Sequence, residues 1–295
     1  MHTANIMRTP SILFAVAMFL AMSCTSSASN PATRPSDDPG EAAERRTLYY
    51  PSPYEAGDVG RFIESGGVRL DYHTDQGKQT AWLIKPANNA KTDRLWLVAG
   101  GNATLALQLV PTVRKLAAAG DAFVLVDYPG YGECAGKPDP GSIRENVKQS
   151  LIAAGKKVGI DPAKDPDHVL ALGHSMGCSA ALMAVEEFHL KSAVLCSPYT
   201  STHEMAELRF GMAKDAPMYH QMDNRPGLAE LAKNHGHAWI FHGDDDRVVP
   251  VAMSKTLAAE FKSVVKLTVV KGAGHNDIFE AAGDEIAKAM AAAGK

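Results

Sequence analysis

Three residue types in one chain order carry the chemistry of this sequence: a serine between glycines, a run of aspartates, and a histidine on a loop of small residues. Gly173-His174-Ser175-Met176-Gly177 reads G-x-S-x-G, with the apolar run 168–172 before it and the Ala-rich run 178–185 after it. A strand ending at Leu172 and turning abruptly into a helix would put the serine at the tip of the turn, strained and exposed. Gly173 and Gly177 let the two chain segments approach closely there. Ser175 is therefore a candidate nucleophile. Downstream, His242-Gly243-Asp244-Asp245-Asp246-Arg247-Val248-Val249-Pro250 offers three carboxylates, and Gly272-Ala273-Gly274-His275-Asn276-Asp277 offers an imidazole. A histidine that takes the serine proton and returns it to the leaving group, oriented by a carboxylate, completes an acyl-transfer site. Any of Asp244, Asp245 and Asp246 satisfies the order Ser, Asp, His. Alone, G-x-S-x-G is also an ordinary turn, and its downstream partners decide for chemistry. A metal site is the rival use of the aspartates, but three consecutive side chains cannot all aim at one ion.

These loops meet only if strands and helices alternate, because parallel strands put their carboxyl-end loops on one edge of a sheet. The sequence alternates in that way. Two strand-like runs, 68–72 and 80–84, flank the polar Asp75-Gln76-Gly77-Lys78 as in an antiparallel hairpin. Then follow the apolar run 95–99, helical spacing at Leu109, Val113 and Leu116, the strand 122–126, a helix around 143–158, and the strand into Ser175. Three more apolar runs, 192–196, 238–241 and 265–270, complete the series. The pattern predicts an α/β fold, a mostly parallel sheet with helices on both faces. With 295 residues, 45% of them hydrophobic, the chain can bury the core of one large domain, expected over 47–295.

Charge and cysteine usage narrow the partners. The formal charge is -3 and becomes -4 without Arg8; no basic stripe follows, so nucleic acid is not an expected partner. Arg8 precedes the apolar run 12–22, which is short for a membrane span and is followed by small residues, so 1–23 is expected to be a cleaved leader. Two cleavage positions compete, near Ala28 or just before Cys24. The stretch Ala21-Met22-Ser23-Cys24 resembles a bacterial lipobox, although Leu is usual where Ala21 stands and a smaller residue where Met22 stands. That resemblance implies acylation of Cys24, and Thr25 after it implies outer-membrane sorting in a Gram-negative cell. The stretch 24–46, rich in Pro, Ser, Asp and Glu, is expected to be a flexible linker. Cys134, Cys178 and Cys196 remain, an odd number without a C-x-x-C pair, so no cysteine zinc site or redox pair is expected.

Gly173–Gly177, Asp127-Tyr128-Pro129-Gly130-Tyr131-Gly132, His242–Pro250 and Gly272–Asp277 together resemble the α/β-hydrolase superfamily. The nearest branch holds serine aminopeptidase-like proteins, monoacylglycerol lipases and protein-depalmitoylating hydrolases. The resemblance runs from about Val68 to the C-terminus and implies the α/β-hydrolase fold with a short lid between Pro198 and His237. It selects Asp246 as the acid, through the G-x-x-D-x-V pattern at Gly243, Asp246 and Val248. It also implies an oxyanion hole built from the backbone N–H groups of Met176 and Asn102. Where family members often carry His-Gly, this chain has Gly100-Gly101, which removes a side chain that usually braces that loop. The expected function is a serine hydrolase acting on esters or thioesters of a small acyl substrate without a cofactor. The alternatives are an aminopeptidase or amidase, and a catalytically idle binding protein.

Overall fold

The computed structural model describes residues 38–87 and 90–294. Cys24 and the apolar run before it lie outside the described residues, and no helix among those described is long and apolar enough to cross a membrane. From Pro39 onward the chain forms one compact unit.

Eight strands build one sheet in the order β1-β2-β4-β3-β5-β6-β7-β8. They are β1 (Val68–Thr74), β2 (Gly77–Ile84), β3 (Arg94–Ala99), β4 (Asp121–Val126), β5 (Val169–His174), β6 (Ser192–Cys196), β7 (His237–Gly243) and β8 (Val265–Val270). β1 and β2 form the expected hairpin, and β2 runs antiparallel to β4. All remaining pairings are parallel, so the loops after β3, β5, β7 and β8 leave from one edge. β5 extends to His174, two residues beyond the strand end expected at Leu172.

The inner strands are covered on both faces, which is why β3, β4 and β5 read as apolar runs. Along β3, Leu95, Leu97 and Ala99 face one layer while Trp96 and Val98 face the other. The first layer holds α4 (Pro140–Val158), α5 (Met176–Phe188), α7 (Arg225–Lys233) and α8 (Val251–Glu260). On the opposite face lie α2 (Asp58–Glu64), α3 (Val110–Leu116) and α10 (Gly283–Ala292). α4 shows how local sequence fixes an element: Asp139 caps it by accepting from Ser142 N at 2.9 Å, Pro140 occupies the first turn, and Gly159 ends it at φ 79°.

Two expectations need correction. Residues 39–46, expected to be linker, lie in a helix, α1 (Pro39–Leu48), that packs on the domain through polar contacts and buries no residue of its own. The Glu44 carboxylate accepts from Tyr219 N at 3.0 Å and His220 N at 2.7 Å, and Arg45 Nε donates to Pro138 O at 3.1 Å. The stretch from Pro198 to His237, expected to form a short lid, carries α6 (Thr202–Phe210) and α7 (Arg225–Lys233). α7 belongs to the body, where Gly227 lies against Leu182 of α5 too closely for a side chain. That narrows the expected lid to α6 and the turns after it.

The Asp127–Gly132 motif is structural. Asp127 is 1% exposed; Oδ2 accepts from Tyr54 Oη at 2.6 Å and Trp82 Nε1 at 2.9 Å, and Oδ1 accepts from Ala106 N at 2.8 Å. Cys134, Cys178 and Cys196 are buried, free thiols.

Candidate active site

Ser175 occupies the junction of β5 and α5 at φ 54°, ψ -120°, a conformation that strains a residue with a side chain by about 1–3 kcal/mol. The surrounding backbone imposes it. A Cβ on Gly173 would stand 2.4 Å from Gly177 O, and one on Gly177 would stand 2.1 Å from Ala99 O, so neither position admits a side chain without movement. Ser175 N donates to Cys196 O at 2.9 Å, tying the turn to the neighbouring strand. From Val169 to Val185 every residue is buried except Ser175, which is half-buried. The turn therefore presents one side chain to solvent, a hydroxyl.

Asp246 and His275, the expected acid and base, come from the loops after β7 and β8. Those loops are zipped together beyond their strands, with Asp244 N on Val270 O and Asp245 N on Ala273 O, both at 3.1 Å. Gly243 makes this possible, since a Cβ there would lie 2.0 Å from Ala273 O. The three aspartates then diverge. Asp244 Oδ1 accepts from Gly272 N at 2.6 Å, Asp245 pairs with Arg247 at 3.2 Å in solvent, and Asp246 Oδ2 accepts from His275 Nδ1 at 2.7 Å. The structure thus brings Asp246, of the three, to His275. Burial would raise the Asp246 pKa, but hydrogen bonds from His242 and His275 outweigh it and hold the carboxyl well below the usual carboxylate range. Val248 N and Val249 N, both at 2.8 Å from Oδ1, complete its shell. With Nδ1–H given to Asp246, the neutral His275 ring offers Nε2 as acceptor.

Two further histidines belong to this site, and sequence reading gave neither a role. His174, the residue before Ser175, donates from Nε2 to His275 O at 2.9 Å, and the two rings lie 4.9 Å apart. Because a carbonyl can only accept, the His174 proton sits on Nε2. Burial, then the neighbouring His275, pushes the His174 pKa down to about 4. His242 is fully buried under the acid; Nε2 lies 2.8 Å from Val249 O and 3.2 Å from Asp246 Oδ2, and Nδ1 lies 2.6 Å from Ser254 Oγ. The signal available was position: His174 adjoins the nucleophile, and His242 ends the strand that delivers the acid.

Among the described residues Ser175 Oγ makes no hydrogen bond, so the acid–base link is closed and the serine–base link is open. Catalytic hydrogen bonds often tighten only when substrate is bound. Met176 opens α5, so its N–H is one of the helix's orphan donors. Across the cleft, a Cβ on Gly101 would stand 3.3 Å from Ser175 Cβ, which places the loop after β3 directly against the nucleophile. The Asn102 N–H, in that loop, is given to no acceptor among the described residues.

A cleft of about 750 Å³ runs along α6, lined by Ser201, His203, Glu204, Glu207, Leu208 and Met253 among others, and no triad residue lines it. Arg209 of α6 donates to the carbonyls of Arg247 and Val248, which ties the lid to the loop carrying Asp246.

With the turn at Ser175, the loops that carry Asp246 and His275 and this sheet order in place, comparison with known proteins gives a family match over part of the chain. The model of the alpha/beta hydrolase family matches residues 94–235. Over that stretch the chain is similar to the α/β-hydrolase superfamily. It is 25% identical to an uncharacterized protein of Mycobacterium tuberculosis over 236 residues, 79% of this chain and 81% of that one. Over 152 residues it is 28% identical to alpha/beta hydrolase domain-containing protein 17B of Xenopus laevis, covering 52% of this chain and 49% of the relative. The chain thus spans about half the length of that relative. In fold it is similar to Est1E from Butyrivibrio proteoclasticus with ferulic acid bound, at a TM-score of 0.58, with 20% identity, over 77% of this chain and 98% of that one.

Proposed function

We propose that this protein is a serine hydrolase that cleaves carboxylic esters or thioesters through an acyl-enzyme on Ser175. The observation that carries this reading is the 2.7 Å bond from His275 to a buried Asp246, with His275 held against His174, the residue before a strained, half-buried serine. In the first step Ser175 Oγ attacks the carbonyl carbon while its proton passes to His275 Nε2. The tetrahedral oxygen takes hydrogen bonds from the backbone N–H groups of Met176 and Asn102. Collapse breaks the bond to the leaving oxygen or sulfur, which takes the proton from His275. Water then repeats the sequence against the acyl-enzyme, releasing the acid and restoring Ser175. Asp246 stabilises the imidazolium in both halves, and the reaction calls on no cofactor.

Esters and thioesters are favoured over amides because two of the acidic groups near α6 that would attract a substrate amine are already paired. Arg225 binds Glu204 at 2.9 Å and Asp223 at 3.5 Å. An aminopeptidase or amidase is the second reading, and an idle binding protein the third. Labelling with a fluorophosphonate tests the class: a folded protein that is not modified at Ser175 would leave the binding-protein reading. Nitrophenyl esters of increasing chain length, with an aryl ester of ferulic acid because Est1E binds that acid, are then set against aminoacyl anilides. Higher kcat/KM for anilides would replace the ester reading with the aminopeptidase one.

The leader and Cys24 support a location in the bacterial cell envelope, with the domain lipid-anchored, outer membrane favoured, and otherwise periplasmic or secreted. Mass spectrometry of the mature N-terminus tests this. An unmodified chain beginning near Ser29 would overturn the anchor.

A further inference from the structure

The loop after β3 holds a conformation that its own sequence does not favour. Ala103 sits at φ 64°, in the left-handed region that disfavours a residue with a side chain, and Gly100 and Gly101 before it contribute no side chain that could brace the turn. Within the loop itself the turn bond from Thr104 N to Gly101 O, at 3.1 Å, is the local restraint. The other restraints come from distant parts of the chain. Tyr128 Oη donates to Gly100 O from the turn after β4. Both ends of the Asn102 amide are engaged: Nδ2 donates to Leu48 O, while Oδ1 accepts from Tyr131 Oη at 2.7 Å and from Tyr50 N at 3.1 Å. Tyr131, itself fully buried, also accepts from Tyr50 N at 2.9 Å. The backbone just after α1 therefore clasps the Asn102 side chain from two sides. α1 is in turn fastened at Glu44 and Arg45 to the lid turn and to Pro138.

We propose that the Asn102 side chain, held by Tyr131 and by the backbone of Leu48 and Tyr50, is a positioning group that sets the direction of the Gly101–Asn102 peptide toward Ser175. The segment leading into the domain is then part of the apparatus that stabilises the tetrahedral oxygen. This rests on the hydrolase reading above. The proposal separates two roles within one residue, since a backbone donor survives side-chain substitution and only its aim is lost. Misplacing a reacting or stabilising group by about 1 Å costs on the order of a hundredfold in rate. Uniform binding of substrate does not depend on that aim, so the loss falls on kcat and not on KM.

The experiment measures ester turnover and the rate of fluorophosphonate labelling in the full chain for wild type, Asn102→Ala, Asn102→Asp, Tyr131→Phe and the double variant Asn102→Ala/Tyr131→Phe. Asn102→Ala is expected to lower kcat by roughly tenfold to a hundredfold with KM within about threefold, and to slow labelling in proportion. Asn102→Asp, which keeps the shape but loses the donor to Leu48, should do the same. Tyr131→Phe should show a smaller drop of the same kind, and the double variant should be no slower than Asn102→Ala, because both changes release one brace. Should Asn102→Ala fail to fold, Asn102→Asp and Tyr131→Phe decide on the same criteria. A kcat within about twofold of wild type, a loss confined to KM, or fully multiplicative losses in the double variant would overturn the brace. Absence of Ser175 labelling in folded wild type would instead remove the hydrolase reading on which it rests.

Discussion

The two sides of the candidate site are built differently. The acid–base side is made by two successive strand-end loops: Asp246 accepts from Val248 N and Val249 N two and three residues away, and the adjacent strands β7 and β8 bring it to His275, 29 residues on. The oxyanion side is made by strangers. Asn102 meets Leu48, Tyr50 and Tyr131 across 54, 52 and 29 residues of chain. Local construction leaves a motif, because residue types recur at fixed short spacings. Long-range construction leaves only single residues that look ordinary where they stand.

The sharpest test of the acid–base side is a ranking. Asp246→Asn should lower kcat/KM by roughly four powers of ten, since an asparagine cannot fix the required tautomer or stabilise the imidazolium. Ser175→Ala and His275→Ala should lose at least as much, with the fold retained. Asp244→Asn and Asp245→Asn, whose carboxylates bind Gly272 N and Arg247, should stay within a few-fold of wild type. Steady-state kinetics on a nitrophenyl ester measure all of these. Equal losses at the three aspartates would mean that the loop acts as a charged unit and that the local construction described above is wrong.

The same contrast explains what could be read from sequence. β6 is found where the run 192–196 places it, because a strand covered on both faces has no charged residue to break the pattern, and the edge strand β8 is found at 265–270, where half-buried Val265 and Leu267 flank exposed Lys266. α1 could not be read. Its sequence, PGEAAERRTL, buries no residue, so hydrophobic periodicity had nothing to show; its fixed position comes from Glu44 and Arg45 reaching backbone groups of Tyr219, His220 and Pro138. α6 and α7 were hidden by shortness and by the prolines around them, although Leu228 and Leu231 of α7 are fully buried. The pairing of Asp246 with His275 was legible, whereas the contacts of His174 and His242 were not, since these depend on which carbonyl or carboxylate the fold brings to each ring nitrogen.

His174 joins the two sides, with Nε2 on His275 O and with Nδ1 facing Gly101, where a Cβ would lie 3.2 Å away. Its depressed pKa has a definite sign. Between the ordinary value of 6.5 and about 4 the unfolded chain takes up a proton that the folded ring refuses, so this contribution is present above pH 6.5 and is lost as pH falls toward 4. Asp246, whose folded pKa lies below its ordinary 3.8, contributes above that value and loses its share only at lower pH, outside this window. His174→Gln, which can keep the donor but does not titrate, should therefore flatten the fall in stability between pH 6.5 and 4 by on the order of 2–3 kcal/mol. Urea unfolding at several pH values in that range measures it. An unchanged slope would show that the ring is protonated in the folded state and does not link the two sides as a neutral donor.

The smallest expected effect concerns the middle of α1, at Glu44, and it asks how far the long-range construction extends. Glu44 accepts two backbone hydrogen bonds from the lid turn, but it is half-buried, so Glu44→Ala should lower stability by only about 1–2 kcal/mol. The contacts of Asn102 begin four residues later, at Leu48, and do not pass through Glu44. If the brace is confined to the backbone of Leu48 and Tyr50 with Tyr131, kcat in Glu44→Ala should remain within about twofold while the midpoint of thermal unfolding falls by a few degrees. A drop in kcat matching that of Asn102→Ala would extend the brace along the whole helix, so that the lid and the oxyanion loop move as one body. An unchanged midpoint would show that the Glu44 contacts do not hold the helix against the lid turn in solution, and that the clasp at Asn102 stands without them.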